Sequence, residues 1–443
     1  MIRVKVLEDP VIRIDTKAEV TVSDGGYERG YDAGYEKGNN DGYGKGHTDG
    51  VEQGYADGRS DGYEEGYEEG KIPVVEKDVN FYNYDGRLLH SYTLEEVQAL
   101  TELPPAPPMG RDFLVFEEWN WSLEDIKALK LPLSVMATVC PADGSTKAVL
   151  EISDARIATV PMYLRQVSGS LSVDWGDGTE PTTFPAATNA NRTLEHTYAV
   201  AGEYIITIST DGSYMLGHGG TPSSFLFGMN QVLTEGYLGR NANLNNYGFL
   251  AYAHLKVVTF APGVTQIHTG AVWQSNTVES VSLPKTLTKI SGNGLGSIGC
   301  LKVLSLPASL ESISGTATTG SGALTSITIP PKCTETGSRY PSVKRAYLAE
   351  GVKAITPQFM YDGIARTIEI PSTVETIGGQ AFRGNGDMER IVFKPLVPPT
   401  VENVNALEFS SWTIVEVPAE SLEAYQNATN YAAIAAQMVG RVF

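Results

Sequence analysis

Cysteine is nearly absent: Cys140, Cys300 and Cys333 are the three in 443 residues. So sparse and odd a set is not a disulfide framework. Its spacing is wrong for a zinc site, and the six histidines form no ligand cluster. Buried reduced thiols are expected, because free cysteine packs as a small hydrophobe. Positive charge is also short: 33 lysines and arginines face 52 acidic residues, a net charge of −19. That balance, without a basic cluster, disfavours a nucleic-acid partner and docking on anionic lipid. No apolar run reaches about 18 residues, so no membrane-spanning helix is expected. Arg3, Lys5, Glu8 and Asp9 break up the N-terminus, which does not read as a signal peptide. The closing "QMVGRVF" carries no lipid-anchor signal. Catalytic patterns are missing too: there is no G-x-S-x-G, no H-E-x-x-H, and no carboxylate pair in a hydrolase context. The chain is read as non-enzymatic, with no catalytic residues, metal ligands or cofactor.

What is abundant is period. Residues 1–25 alternate as strands, with Ile2, Val4 and Val6 on one face. Glycine then recurs at every fourth position from Gly26 to Gly70, twelve times in register, and tyrosine follows seven of them. On a helix four residues turn about 400°, so the stripe precesses by about 40° per repeat. Twelve glycines at roughly 1 kcal/mol each make a lone helix untenable. Helices packed closely along the stripe would offset that cost, with tyrosines covering the seam. An ordered non-helical form and an acidic linker are the other readings; the phase favours helical association. On that reading residues 26–73 form an oligomeric stalk with Gly30, Gly34, Gly38, Tyr27, Tyr31 and Tyr35 as its contacts, and its resemblance to fibre proteins implies a trimer.

Three further segments follow. In 74–131, "VNFYNYDGRLLHSY" reads as strand, Asp85-Gly86 turn, strand. Thr93 and Glu96 make a capping box for a short helix, and Ser122 caps a second. With the prolines of "LPPAPP" and the aromatics Phe113, Phe116 and Trp119, this segment resembles the internalin-type B-repeat. That resemblance implies a small β-grasp-like module, although "GRDFLVFEEW" replaces the family's usual GYxFxGW. Trp119 and Trp121 are read as packing residues. Residues 132–212 contain "LSVDWGDGTEP" and "LEHTYAVAGEYIITIS". The WGDGT turn (Trp175 to Thr179), His196 with Tyr198, and Gly202 with Tyr204 resemble the polycystic-kidney-disease (PKD) type of immunoglobulin-like β-sandwich. Asp174 and Asp177 read as turn formers, since two carboxylates fall short of a calcium shell.

From Leu255 to the end the chain repeats. Units begin at Leu255, Val278, Leu301, Leu324, Val343, Ala365 and Met388, 19 to 23 residues apart, with apolar residues at unit positions 1, 4, 6, 10 and 13. That is a solenoid: each unit supplies a strand and a turn, and stacking buries the shared stripe. The frame points Leu304, Leu306, Leu310 and Ile313 inward and Ser305 to the opposite face. "IEIPSTVETIGGQAFRG" resembles the BspA-type leucine-rich repeat, with Phe382 as its packing aromatic, and "TIVEVPAESLEAYQNATNY" resembles that family's closing unit. Apolar positions weaken at Cys333, Thr336 and Thr400. Residues 213–254 read as an irregular N-terminal cap on a solenoid of 255–443.

The expected fold is therefore multidomain and mainly β: N-terminal strands, helical stalk, β-grasp-like module, PKD-like sandwich and repeat solenoid. The resemblances are to extracellular adhesin parts, yet no export signal is read. That combination implies a phage virion appendage, a tail or head fibre, assembled in the host cytoplasm and released by lysis. Its N-terminus would join other virion proteins, and its C-terminal half would bind a host-surface glycan or protein, with Tyr247, Tyr252 and Trp273 as candidate contacts. A bacterial BspA-like surface adhesin and a polysaccharide-depolymerising tailspike are the alternatives.

Overall fold

The computed structural model describes residues 75–153, 159–216, 232–244, 250, 253–337 and 339–443. The N-terminal strands and the glycine ladder, with Tyr27, Gly30, Tyr31, Gly34, Tyr35 and Gly38, lie outside the described residues.

The first module holds β1 (Val79–Tyr82), β2 (Leu88–Tyr92), α1 (Leu94–Ala99), β3 (Leu114–Trp119), α2 (Leu123–Leu129) and β4 (Leu133–Pro141). The Thr93–Glu96 capping box forms, and Ser122 accepts from the Asp125 amide. The sheet order is β2-β1-β4-β3, with β1 and β4 parallel at its centre and both outer pairs antiparallel. The boundary expected after residue 131 is thus corrected. β4 completes this sheet, because its partners β1 and β3 have no other strand between them. Phe81, Trp119 and Trp121 fill the module core. The indole N–H of Trp119 donates to Pro104 O at 2.9 Å.

Next come β5 (Thr146–Ile152), β6 (Thr159–Ser168), β7 (Leu171–Asp174), β8 (Thr182–Phe184), β9 (Ala190–Thr197), β10 (Gly202–Thr210), β11 (Ser213–Leu216), β12 (Leu233–Tyr237) and β13 (Ala242–Leu244). They form two facing sheets. One carries β5-β10-β7-β8, the other β13-β11-β6-β9. Trp175, Ile206 and Ile208 are buried between them.

The repeats supply β14 (Val257–Thr259), β15 (Gln266–Ile267), β16 (Ser280–Ser282), β17 (Lys289–Ile290), β18 (Ser312–Ile313), β19 (Ser326–Ile329) and β20 (Arg345–Leu348). They continue with β21 (Ala354–Ile355), β22 (Thr367–Ile370), β23 (Thr376–Ile377), β24 (Arg390–Phe393), β25 (Thr400–Val401), β26 (Ile414–Pro418), α3 (Leu422–Gln426) and β27 (Met438–Arg441). Longer strands stack in parallel as a front ladder, and the two-residue strands as a back ladder. A third ladder joins the turns: Gln358, Met360 and Asp362 amides donate to the carbonyls of Gly379, Ala381 and Arg383 one unit on. Hydroxyls at unit position 9 tie units together as well. Thr286, Ser309 and Thr373 donate to the position-10 carbonyls of Val264, Leu287 and Val352 at 2.7–2.9 Å.

No separate cap precedes the solenoid among the described residues. β12 pairs antiparallel with β5 of the sandwich and parallel with β14 of the first unit, so one sheet runs β16-β14-β12-β5-β10-β7-β8. The sandwich itself covers the solenoid's open end, and one buried core runs through both. At the other end Tyr425 and Tyr431 close on Phe393, their hydroxyls donating to Pro395 O and Pro399 O.

The stripe is buried as the frame requires: Leu304, Leu306, Leu310 and Ile313 are all in the core. Two local departures stand out. In the last unit Val397 and Thr400 are exposed and Val401 takes the buried place, a slip of one residue across the proline-rich "PLVPP". In the Leu301 unit the front ladder breaks, because side chains of the first module take its carbonyls. Asn120 Nδ2 donates to Ser305 O at 3.2 Å and Trp121 Nε1 to Leu306 O at 2.8 Å. Ser305 is buried as well, not on an open face. Its hydroxyl lies 2.8 Å from Asn120 Nδ2 and 2.5 Å from Ser134 O. Cys140 and Cys333 are buried, and that burial pushes both thiols up to about 12, whereas Cys300 is exposed, against expectation.

Leu306→Ala should cost roughly 2–5 kcal/mol, as buried leucine truncations do. Ser305→Ala should cost about 1–3 kcal/mol, because it leaves the Ser134 carbonyl without its donor between two modules. Urea unfolding of the two variants checks both values. A neutral Ser305→Ala would mean that the module does not depend on this contact.

Candidate functional site

Unit positions 3 and 5 point outward from the front ladder, between the buried positions 4 and 6. Under the first module position 5 is small and hydroxylic, Ser282, Ser305 and Thr328, and so is Ser280 at position 3, all buried, while Val303 holds position 3 of the Leu301 unit. Ser280 Oγ donates to Tyr84 O and Ser282 Oγ to Ala137 O, each at 2.7 Å. Thr328 Oγ1 donates to Pro132 O, also at 2.7 Å. Carbonyls of residues 137, 134 and 132 thus meet position 5 of three successive units, so β4 crosses the front ladder like a rail. The rail ends at Lys130, where the backbone turns left-handed (φ 54°) into α2.

At that point the outward residues change character. They become Arg345 and Tyr347, then Thr367 and Glu369, then Arg390. Between them and the end of α2 opens a cleft of about 1300 Å³. Leu129, Leu131, Pro132 and Tyr347 are among its lining residues, and so are Ile364 and Pro371. Its charges are partly matched. Lys394 pairs with Glu369 at 2.6 Å and Arg366 with Glu389 at 3.4 Å. Glu350 accepts the amide and hydroxyl of Ser372, and Asp125 accepts the Ser122 hydroxyl. Among the described residues no carboxylate pairs with Lys130, Lys344 or Arg345. Burial raises the Tyr347 phenol, with the Arg345 guanidinium opposing. The arrangement can hold a ligand by apolar contact, with five cations and five carboxylates among its lining residues.

Trp273, a proposed contact, lies half-buried on the turn after β15 and does not line the cleft. Tyr247 and Tyr252 lie outside the described residues. Aromatic content alone did not find Arg345 and Tyr347. The usable signal was the change at positions 3 and 5 from serine and threonine to arginine, tyrosine and glutamate.

The WGDGT turn is a second cluster, and its polar groups serve the fold. His196 stacks on Trp175 at 4.8 Å and bonds Asp177 Oδ2 at 2.7 Å. Asp177 Oδ1 accepts the Thr179 amide and hydroxyl, Asp174 accepts the Gly176 amide, and the Tyr198 hydroxyl donates to Trp175 O. Partial burial works to raise the Asp177 pKa, but the bonds from Thr179 and His196 outweigh it and hold the value at about 2. A depressed carboxylate stabilises fully above its ordinary value of about 3.9 and loses that contribution as pH falls toward 2. The stability gap between the native protein and Asp177→Asn should therefore close between about pH 4 and pH 2. Urea midpoints at both ends of that window test this.

Residues 239–340 and 338–428 match the BspA type leucine rich repeat region, in six copies. No curated protein matches the chain. A leucine-rich repeat protein from Bacteroides ovatus ATCC 8483, with a crystal structure at 1.19 Å resolution, is similar at 13% identity. The likeness covers 46% of this chain and 65% of that one, with a TM-score of 0.29. This chain thus spans a little under two thirds of that protein's length. The C-terminal half of the chain is a β-solenoid built of BspA-type leucine-rich repeats.

Proposed function

We propose that this is a non-enzymatic surface protein that binds a ligand with the uncovered part of its front ladder. BspA-type repeats suggest a surface or adhesin-like repeat protein. The carrying observation is the change at unit positions 3 and 5. Where the first module covers the ladder, the position-5 residues are hydroxyls bonded to it; where it stops, the outward residues are Arg345, Tyr347 and Glu369 around an open cleft. In its finer form the reading is a phage appendage. Its N-terminus attaches to the particle, the glycine ladder makes a trimeric shaft, and the B-repeat-like and PKD-like modules form a rigid shoulder for the solenoid. On the alternative reading, a BspA-like bacterial adhesin, this chain uses the same face in the same way.

Full-length protein should adhere to host cells, and Tyr347→Ala combined with Arg345→Glu should abolish adhesion while leaving the unfolding midpoint unchanged. Adhesion that survives this double variant would remove the cleft from the reading. Immunogold labelling separates the two forms: particles carry the label if it is an appendage, bacterial envelopes if it is an adhesin. For the shaft, sedimentation should give a trimer that Gly30, Gly34 and Gly38 changed together to leucine disrupts. A monomeric native protein would exclude the shaft.

A further inference from the structure

We infer that the cleft takes an extended peptide with an acidic side chain, presented by a partner protein; this rests on the ligand-binding reading above. The first ground is a precedent within the chain. Beside the cleft, the same ladder already holds an extended polypeptide, β4, through hydroxyl donors at unit position 5. The cleft continues that line, with donors again at the outward positions: Arg345, Tyr347 and Thr367.

The second ground is charge. Within a chain of net charge −19, Lys130 on one wall, and Lys344 and Arg345 on the other, lack a carboxylate partner among the described residues. Of the five carboxylates lining the cleft, Glu369 and Glu389 are matched by Lys394 and Arg366, Glu350 and Asp125 accept from Ser372 and Ser122, and Asp387 has no cation partner among the described residues. An incoming Asp or Glu meets the guanidinium as a charge-assisted, bidentate contact. The third ground is the lining. Leu129, Leu131, Ile364 and Pro371 offer aliphatic surface, which suits apolar side chains alternating with the acidic one. A sugar ring wants an aromatic platform, and of the two aromatics lining the cleft Trp121 is fully buried, which leaves Tyr347 alone and half-buried. Strands stand about 4.8 Å apart, so crossing from β20 to β24 spans roughly 10 Å. An extended segment of about four residues covers that distance.

The test uses the full-length protein and a displayed library of random peptides about ten residues long. Enriched peptides should carry Asp or Glu flanked by apolar residues. Lys344→Glu with Arg345→Glu should weaken them about tenfold or more, and so should Lys130→Glu alone, from the other wall. Both variants should keep the native unfolding midpoint. No enrichment, enrichment without acidic residues, or affinities unmoved by either variant would overturn the inference. A glycan array on the same preparations separates the failures. Saccharide binding lost in the Lys344→Glu, Arg345→Glu variant overturns the peptide and keeps the ligand-binding face. Cell adhesion indifferent to Tyr347→Ala with Arg345→Glu overturns the face itself.

Discussion

A strand longer than its neighbours leaves backbone groups that something must bond. β4 has nine residues, whereas β1 has four and β3 has six. Carbonyls alternate between the two edges of a strand, so Pro132, Ser134 and Met136 share the edge that β3 covers only farther along. The Asn120 amide takes Met136 O, and the solenoid supplies the rest through Ser305 and Thr328. Beyond the end of β1, Ser282 takes Ala137 O. An unpaired buried carbonyl costs about as much as a lost hydrogen bond. The module and the solenoid are therefore completed by one another, and this placement also decides where the repeats stay open.

A second junction reinforces the first. Arg111, on the loop before β3, forks to Glu203 of the sandwich and to Glu235 of β12 at 2.8–3.1 Å. Tyr84, Leu114, Val139, Val149 and Tyr237 form a small core where module, sandwich and solenoid meet. Three segments that look like beads along the chain are one packed body from Val75 onward.

The sequence made the repeats legible because their stripe is a one-dimensional pattern: positions 4 and 6 are buried in unit after unit. Local chemistry was legible for the same reason. The Thr93–Glu96 box and the Trp175–Thr179 turn are closed within a few residues. What stayed hidden depends on pairing over long separations. Nothing near residue 131 announces that β4 pairs backward with β1, and nothing near 237 announces that β12 pairs with β5. Ser305 read as an outward residue and is one, but it faces a second module instead of solvent. The site was half visible. The hydroxyl-to-charge change at positions 3 and 5 is in the text of the repeats, but it acquires meaning only once β4 is known to lie across the first units.

The rail also sets how the molecule carries tension. Val75 lies four residues before β1, and one wall of the cleft belongs to the same small module. A pull applied at Val75 and resisted at the cleft passes from β1 to β4, then across the serine and threonine contacts into the solenoid. The sandwich, though it lies between module and repeats along the chain, offers a second route through Arg111 and β12. Those contacts lie in a row along β4, one in each of three successive units. The molecule has a short, stiff route for force in a chain whose sequence order suggests a long one.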